Sequence, residues 1–178
     1  MEQVKSVDMD RQMIAIKQVG YDNGDFIMLC EELDAFLNVA IGGESKREKY
    51  KKFNHLDTMD VVLIAYDKEN PVGCAALRKY STEKIEVKRV FVREEYRGQN
   101  VGGQLLEQLI LQAEKMGYSR MILETGAFLA ASVRLYQRCG FEQIENYGAY
   151  KDMPESLCMG RKIGKEVKPH GLTSCFQS

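Results

Sequence analysis

The residues best equipped for chemistry stand together in Arg97-Gly98-Gln99-Asn100-Val101-Gly102-Gly103, shortly after the β-forming run Val90, Phe91 and Val92. Glycines at this density suit neither an interior strand nor an interior helix, so the stretch reads as a turn. From Val101 onward apolar residues recur at helical spacing (Val101, Leu105, Leu109, Ala113 and Met116), which starts a helix inside the turn. Its first N–H groups have no side-chain cap and lie at the positive end of the helix dipole. Together they attract an anion such as a phosphate. The stretch predicts a ligand that carries phosphate.

Two nucleotide motifs come close and fail. Gly98 and Gly103 have P-loop spacing, but Gln104 and Leu105 replace the lysine and the metal-binding hydroxyl. The dinucleotide fingerprint needs a middle glycine, and Asn100 occupies that place. Glu124 does lie about where that fold keeps its ribose-binding acid. The preceding strand adds a clue of its own. Ile85 and Val87 are apolar at odd positions, Val90 and Val92 at even ones, so the parity flips at Lys88-Arg89. An extra residue in one strand produces such a flip, and a β-bulge there frees backbone groups for an extended ligand.

The elements that must position this stretch can be read in order. Met13 to Val19 suggests a first strand, and Asp25 is placed to cap a helix from Phe26 to about Val39. That helix would bury Phe26, Leu29, Leu33, Phe36 and Leu37 and end at Gly42-Gly43. The charged run Glu44 to Phe53 reads as a short solvated helix. Asp60 to Asp67 and Val72 to Arg78 form an antiparallel pair that leads into the bulged strand. After the central helix come a buried strand at Met121 to Thr125 and a short helix from Ala130 to Cys139. Gly140 closes that helix, and Phe141 to Ile144 and Ser156 to Ile163 are closing strands. Antiparallel strands followed by strand, helix, strand and helix argue for a mixed α/β sheet.

Composition sets the frame. A chain of 178 residues suits one domain, here residues 1–164, with a polar, aperiodic flexible tail at 165–178. The formal net charge of −1 gives no reason to expect nucleic acid or an acidic membrane as partner. Five scattered cysteines without a Cys-x-x-Cys pair favour reduced thiols in a cytoplasmic protein, and the two histidines form no metal-ligand cluster. No apolar run reaches membrane-spanning length.

With those residues in view, the segment Glu86 to Leu106 resembles motif A of the GCN5-related N-acetyltransferases, the GNAT superfamily. That pattern is Arg or Gln, two residues, Gly, one residue, then Gly or Ala, directly after a bulged strand. Arg97-Gly98-Gln99-Asn100-Val101-Gly102 matches it except at Asn100, where glycine is usual. Asparagine is the non-glycine residue that best tolerates a left-handed backbone. Leu135-Tyr136-Gln137-Arg138-Cys139-Gly140-Phe141 is similar to motif B, and Leu123 to Gly126 with Tyr147 to Tyr150 resembles one branch of small bacterial-type members. An asparagine often found several residues before that tyrosine is Leu129 here.

The resemblance covers about Asp60 to Ile163. It implies a mostly antiparallel central sheet with helices on both faces, and acetyl transfer from acetyl-CoA to a primary amine without a metal. The acceptor would be a small molecule or a peptide, and a homodimer is compatible with the fold. By the same resemblance, the backbone of Val90, Phe91 and Val92 would hold the pantetheine arm. The pyrophosphate would lie on Arg97, Gly98, Gln99, Asn100, Val101, Gly102 and Gly103. Tyr136 resembles the general acid, against its alternative as a core tyrosine beside a helix cap. Glu86 resembles a base that draws the amine's proton through water, against its alternative as a solvated residue paired with Lys84 or Lys88. Asp34, Asn54 and Asp57 fall in the region that shapes the acceptor pocket. Two rivals stand beside the enzyme: an inactive CoA-binding sensor or interaction module on the same fold, and a nucleotide-dependent oxidoreductase.

Overall fold

The run Asp60 to Asp67 is apolar at both parities because the strand it forms is covered on both faces. In the computed structural model, which describes residues 13–51 and 55–164, this strand is β2 (Val61–Asp67), counting β1 as Ile14–Val19. Val61, Leu63 and Ala65 enter one core, and Val62, Ile64 and Tyr66 enter the other. β3 (Asn70–Lys79), β4 (Lys84–Val92), β5 (Arg120–Gly126), β6 (Glu142–Gln143) and β7 (Ser156–Lys162) complete a seven-stranded sheet in the order β1-β2-β3-β4-β5-β7-β6. Every neighbouring pair is antiparallel except β4 with β5.

Helices lie on both faces, as the resemblance implied. α1 (Gly24–Ile41) buries Phe26, Leu29, Cys30 and Leu33 against one face. α2 (Glu44–Lys51) packs beside α1. On the other face α3 (Val101–Lys115) buries Val101, Leu105, Leu106, Leu109, Ile110 and Ala113. α4 (Ala130–Arg138) adds Tyr136, and Cys139 and Phe141 just beyond it join the same core. Phe26, Leu29, Leu105 and Leu109 have no exposed surface. Truncating any of the three leucines to alanine costs about 2–5 kcal/mol.

Three expectations are corrected. The cap of α1 is Asn23, whose Oδ1 accepts from the N–H groups of Asp25 and Phe26 at 3.0 and 3.2 Å. Asp25 lies in the first turn of the helix, where its Oδ2 accepts from the Tyr66 hydroxyl at 2.7 Å. Phe36 is 40 % exposed and so is not core. Nor is the charged helix α2 merely solvated, because its Arg47 is buried against α1. Asn54 and the tail at 165–178 lie outside the described residues. Among the described residues no helix is long and apolar enough to cross a membrane.

Candidate active site

β4 and β5 pair only at Lys84↔Arg120, Ile85↔Met121 and Glu86↔Ile122. Beyond Glu86 and Ile122 the two strands part, and a cavity of about 620 Å³ opens between them. The size suits a substrate-binding cleft. On its β4 side the ladder with β3 jumps from Ala76↔Lys88 to Cys74↔Phe91, so three steps on β4 oppose two on β3. This is the bulge that the parity flip foretold. Arg89 takes the left-handed region there, with φ +57°, a cost of about 1–3 kcal/mol. Its side chain holds the kink: Nη2 donates to Cys30 O at 2.8 Å, and Nη1 to Asp34 Oδ1 at 2.9 Å.

The anion cradle follows β4. Gly98 and Asn100 are both left-handed, with φ +76° and +61°, and α3 starts at the next residue. The Asn100 side chain makes no cap bond, so the first-turn N–H groups of α3 are left for a ligand. Asn100 Nδ2 is itself buried without a partner, a donor for an anion at this spot. A Cβ at Gly102 would stand 3.0 Å from Leu135, so glycine is what lets α4 close the far wall. Arg97 donates from Nε to Val92 O at 3.0 Å and lies over the Phe36 ring. These features fit a pyrophosphate.

Of the residues singled out from sequence, Val90, Phe91, Val92, Arg97, Gly98, Asn100, Val101, Gly102, Gly103 and Tyr136 line this cavity. Gln99 does not; its Nε2 donates to Glu95 O at 3.0 Å. Tyr136 packs edge-on against Phe141, and its hydroxyl makes no hydrogen bond among the described residues. Burial, then the nearby Glu124, push its pKa well up, which keeps the phenol protonated.

The carboxylates singled out from sequence lie off the cavity. Glu86 is 1 % exposed and does not line the cavity. Its Oε2 accepts from Arg78 at 2.5 Å and its Oε1 from the Tyr147 hydroxyl at 2.8 Å, so it is neither solvated nor available. Asp34 is likewise committed, its Oδ1 shared by Arg47 at 2.8 Å and Arg89 at 2.9 Å, and it lies off the cavity. Asp57 is exposed on the turn Leu56–Thr58 and also lies off it.

Glu124 on β5 is the carboxylate that lines the cavity. Burial raises its pKa above the usual carboxylate range, against the Ser156 hydroxyl and Lys88, which favour the anion. Ser156 Oγ donates to Glu124 Oε1 at 2.6 Å and lies 3.3 Å from the Tyr50 hydroxyl, which donates to Glu155 Oε1 at 3.0 Å. Glu155 is ion-paired with the exposed Lys49. The hydroxyl protons of Ser156 and Tyr50 are thus directed outward, to Glu124 and to Glu155, and a turn of the Ser156 hydroxyl towards Tyr50 is what would join the two carboxylates in one chain. Among the described residues no group of three His, Cys, Asp or Glu is arranged to hold a metal.

An uncapped helix start directly after a bulged strand is the arrangement that the resemblance implied; the carboxylate across the gap, Glu124, is one that it did not name. The profile of the acetyltransferase (GNAT) family matches residues 27–141. The chain belongs to that family. As a GNAT member it is an acyltransferase, and the relatives agree. The IAA acetyltransferase of Azospirillum brasilense is 34 % identical over 146 residues, which cover 77 % of this chain and 90 % of that protein. Among solved structures, a candidate acyl-CoA N-acyltransferase from Klebsiella pneumoniae superposes with a TM-score of 0.71 at 25 % identity, over 85 % of this chain and 99 % of that one. The PaiA N-acetyltransferase of Thermoplasma acidophilum, solved in complex with coenzyme A, shares the GNAT fold with a TM-score of 0.66 at 20 % identity, over 84 % of this chain and 99 % of that one.

Proposed function

We propose that this chain transfers the acetyl group of acetyl-CoA to a primary amine by direct attack of the amine on the thioester. The observation that carries the reading is the joining of three features in one cavity: the uncapped start of α3, the bulge of β4, and Glu124 and Tyr136 in the same lining. The N–H groups from Gly98 to Gly103 and the Asn100 amide would hold the pyrophosphate, with Arg97 adding charge. The open edge of β4 from Val90 to Val92 would hold the pantetheine arm as a strand partner, and a backbone N–H at the bulge would polarise the thioester carbonyl. The activated thioester supplies the acyl group. A same-fold protein solved with coenzyme A supports this co-substrate.

Glu124 serves as the general base in place of Glu86. It takes a proton from the amine, directly or through one water, while the nitrogen bonds to the carbonyl carbon. As the C–S bond breaks, Tyr136 gives its hydroxyl proton to the leaving sulfur. Once protonated, Glu124 can donate to Ser156, whose hydroxyl then turns to Tyr50 as Tyr50 donates to Glu155. This is a route by which the amine's proton can leave, while water admitted on product release reprotonates the Tyr136 phenolate.

Thermal unfolding with acetyl-CoA, CoA and NAD tests the cofactor half of this reading. A ligand of the native state at a hundredfold excess over its Kd adds about 2.7 kcal/mol of stability. A rise with both CoA species and none with NAD is expected, followed by thiol release with primary amines. No shift with either CoA species would overturn the reading. A shift without turnover of any amine would instead favour the CoA-binding module.

A further inference from the structure

The wall of the cavity is more basic than acetyl transfer requires. Among the described residues it carries Arg47, Lys88, Arg89, Arg97 and Arg138 against one carboxylate, Glu124. Arg97 belongs to the phosphate turn, and Arg138 follows three residues after Leu135, which packs on Gly102. Arg47 and Arg89 are both paired with Asp34. Lys88 remains.

Its side chain is 8 % exposed, and its ammonium makes one hydrogen bond among the described residues, to the Tyr150 hydroxyl at 3.2 Å. Glu86 Oε1 stands 3.9 Å away, beyond hydrogen-bond reach, and is already bonded to Tyr147. An ammonium has three donors, and Lys88, whose Nζ also stands 5.9 Å from the centre of the Tyr150 ring, belongs to the cavity wall with one of them engaged among the described residues. Burial pulls its pKa down, while Glu86 and Glu124 support the charged form. Lys88 precedes Val92 by four residues and lies before the bulge, whereas the phosphate turn follows the other end of β4. It lies on the acceptor side of the bulge, and Glu124 stands on the strand across the gap.

We infer that the acceptor is a free α-amino acid with an apolar side chain, its amine at Glu124 and its carboxylate on Lys88. The inference rests on the acetyltransferase reading above. An amine and a carboxylate on one carbon match the opposite charges of the two parted strands. The remaining wall suits an apolar side chain, because α1 contributes Leu33, Leu37 and Ile41 to the cavity. A polyamine would bring further positive charge into a wall that already has an excess of it. A peptide N-terminus offers the amine without a carboxylate on the same carbon.

The test compares acceptors that differ by the carboxylate alone. Thiol release from acetyl-CoA is followed with L-phenylalanine and L-leucine against phenethylamine and isoamylamine, with spermidine and a phenylalanyl-alanine dipeptide as further arms. Rates are compared per deprotonated amine. Each amino acid is expected to exceed its decarboxylated partner in kcat/KM by about tenfold or more, the scale of one charge-assisted hydrogen bond. Lys88→Met should bring that ratio towards one, and Lys88→Arg should keep most of it. Equal rates within each pair in the wild type, or a preference for spermidine or the dipeptide, overturn the inference without any variant. A thermal shift with acetyl-CoA and no turnover of either amino acid overturns it alone; loss of that shift removes the acetyltransferase reading as well.

Discussion

Ser156 Oγ donates to Glu124 Oε1 at 2.6 Å, and this bond sets where the acidic limb of the pH profile falls. Burial favours the neutral carboxyl of Glu124, while Ser156 and then Lys88 favour the anion; the balance lies above the ordinary carboxylate value. A base must be ionised, so kcat falls as pH drops through that raised pKa. Ser156→Ala removes a donor to the charged form worth about 1.5–3 kcal/mol, or roughly one to two pH units. The acidic limb of kcat should move up by about one unit. Glu124→Gln should abolish the limb and lower kcat by about 10²–10⁴. An unmoved limb in Ser156→Ala would mean that another group is titrating.

Tyr136→Phe separates the acid from the core tyrosine. The hydroxyl makes no hydrogen bond among the described residues, while the ring packs on Phe141. Phenylalanine keeps the packing, so the thermal midpoint and its rise with acetyl-CoA should both hold. Loss of the leaving-group proton should cost kcat about 10²-fold or more. Full activity in Tyr136→Phe would return the residue to the core alone.

The phosphate turn and the bulge were legible because both are local. Glycine density, the left-handed tolerance of Asn100 and the change of apolar parity at Lys88-Arg89 are each set by a few neighbouring residues. The position of Glu124 was not local. Glu86 faces Ile122 at the last joined pair of β4 and β5, whereas Glu124 comes two residues after Ile122, where the strands have parted. Only the register tells which carboxylate reaches the opening. Asp34 misled for a related reason: its partners Arg47 and Arg89 lie 13 and 55 residues away in sequence. Arg47 was hidden in a charge run that looks solvated until α2 is docked on α1.

Asp34→Asn should loosen that docking. Burial opposes the Asp34 charge, but the Arg89 and Arg47 guanidiniums prevail and hold its pKa below the usual carboxylate value. The substitution leaves the buried Arg89 without an anion. Because the Asp34 side chain is 45 % exposed, the cost is set at about 2 kcal/mol, under the range for a fully buried pair. A depressed carboxylate pKa contributes stability that is present above the unfolded value and lost as pH falls through the folded one. Urea unfolding should therefore show a full gap between wild type and Asp34→Asn at pH 7, narrowing below about pH 4. A gap that stays constant down to low pH would assign the loss to packing instead of charge.

Asn100→Gly carries two opposed effects, and measuring both tells what the asparagine is for. In the free protein Asn100 holds a left-handed backbone at φ +61° and buries an amide nitrogen without a partner. An unmade buried donor alone costs about 1–3 kcal/mol. Glycine removes both penalties but adds about 0.5–1 kcal/mol of chain entropy to the unfolded state. The free variant should gain about 1 kcal/mol in urea unfolding. If Nδ2 donates to a phosphate oxygen, the same change should weaken acetyl-CoA binding by about tenfold in a calorimetric titration. A gain in stability with unchanged affinity would make Asn100 a tolerated stand-in for glycine. A gain coupled to weaker binding would make it a ligand-holding residue, kept strained and unpaired in the free protein because the bound anion supplies its partner.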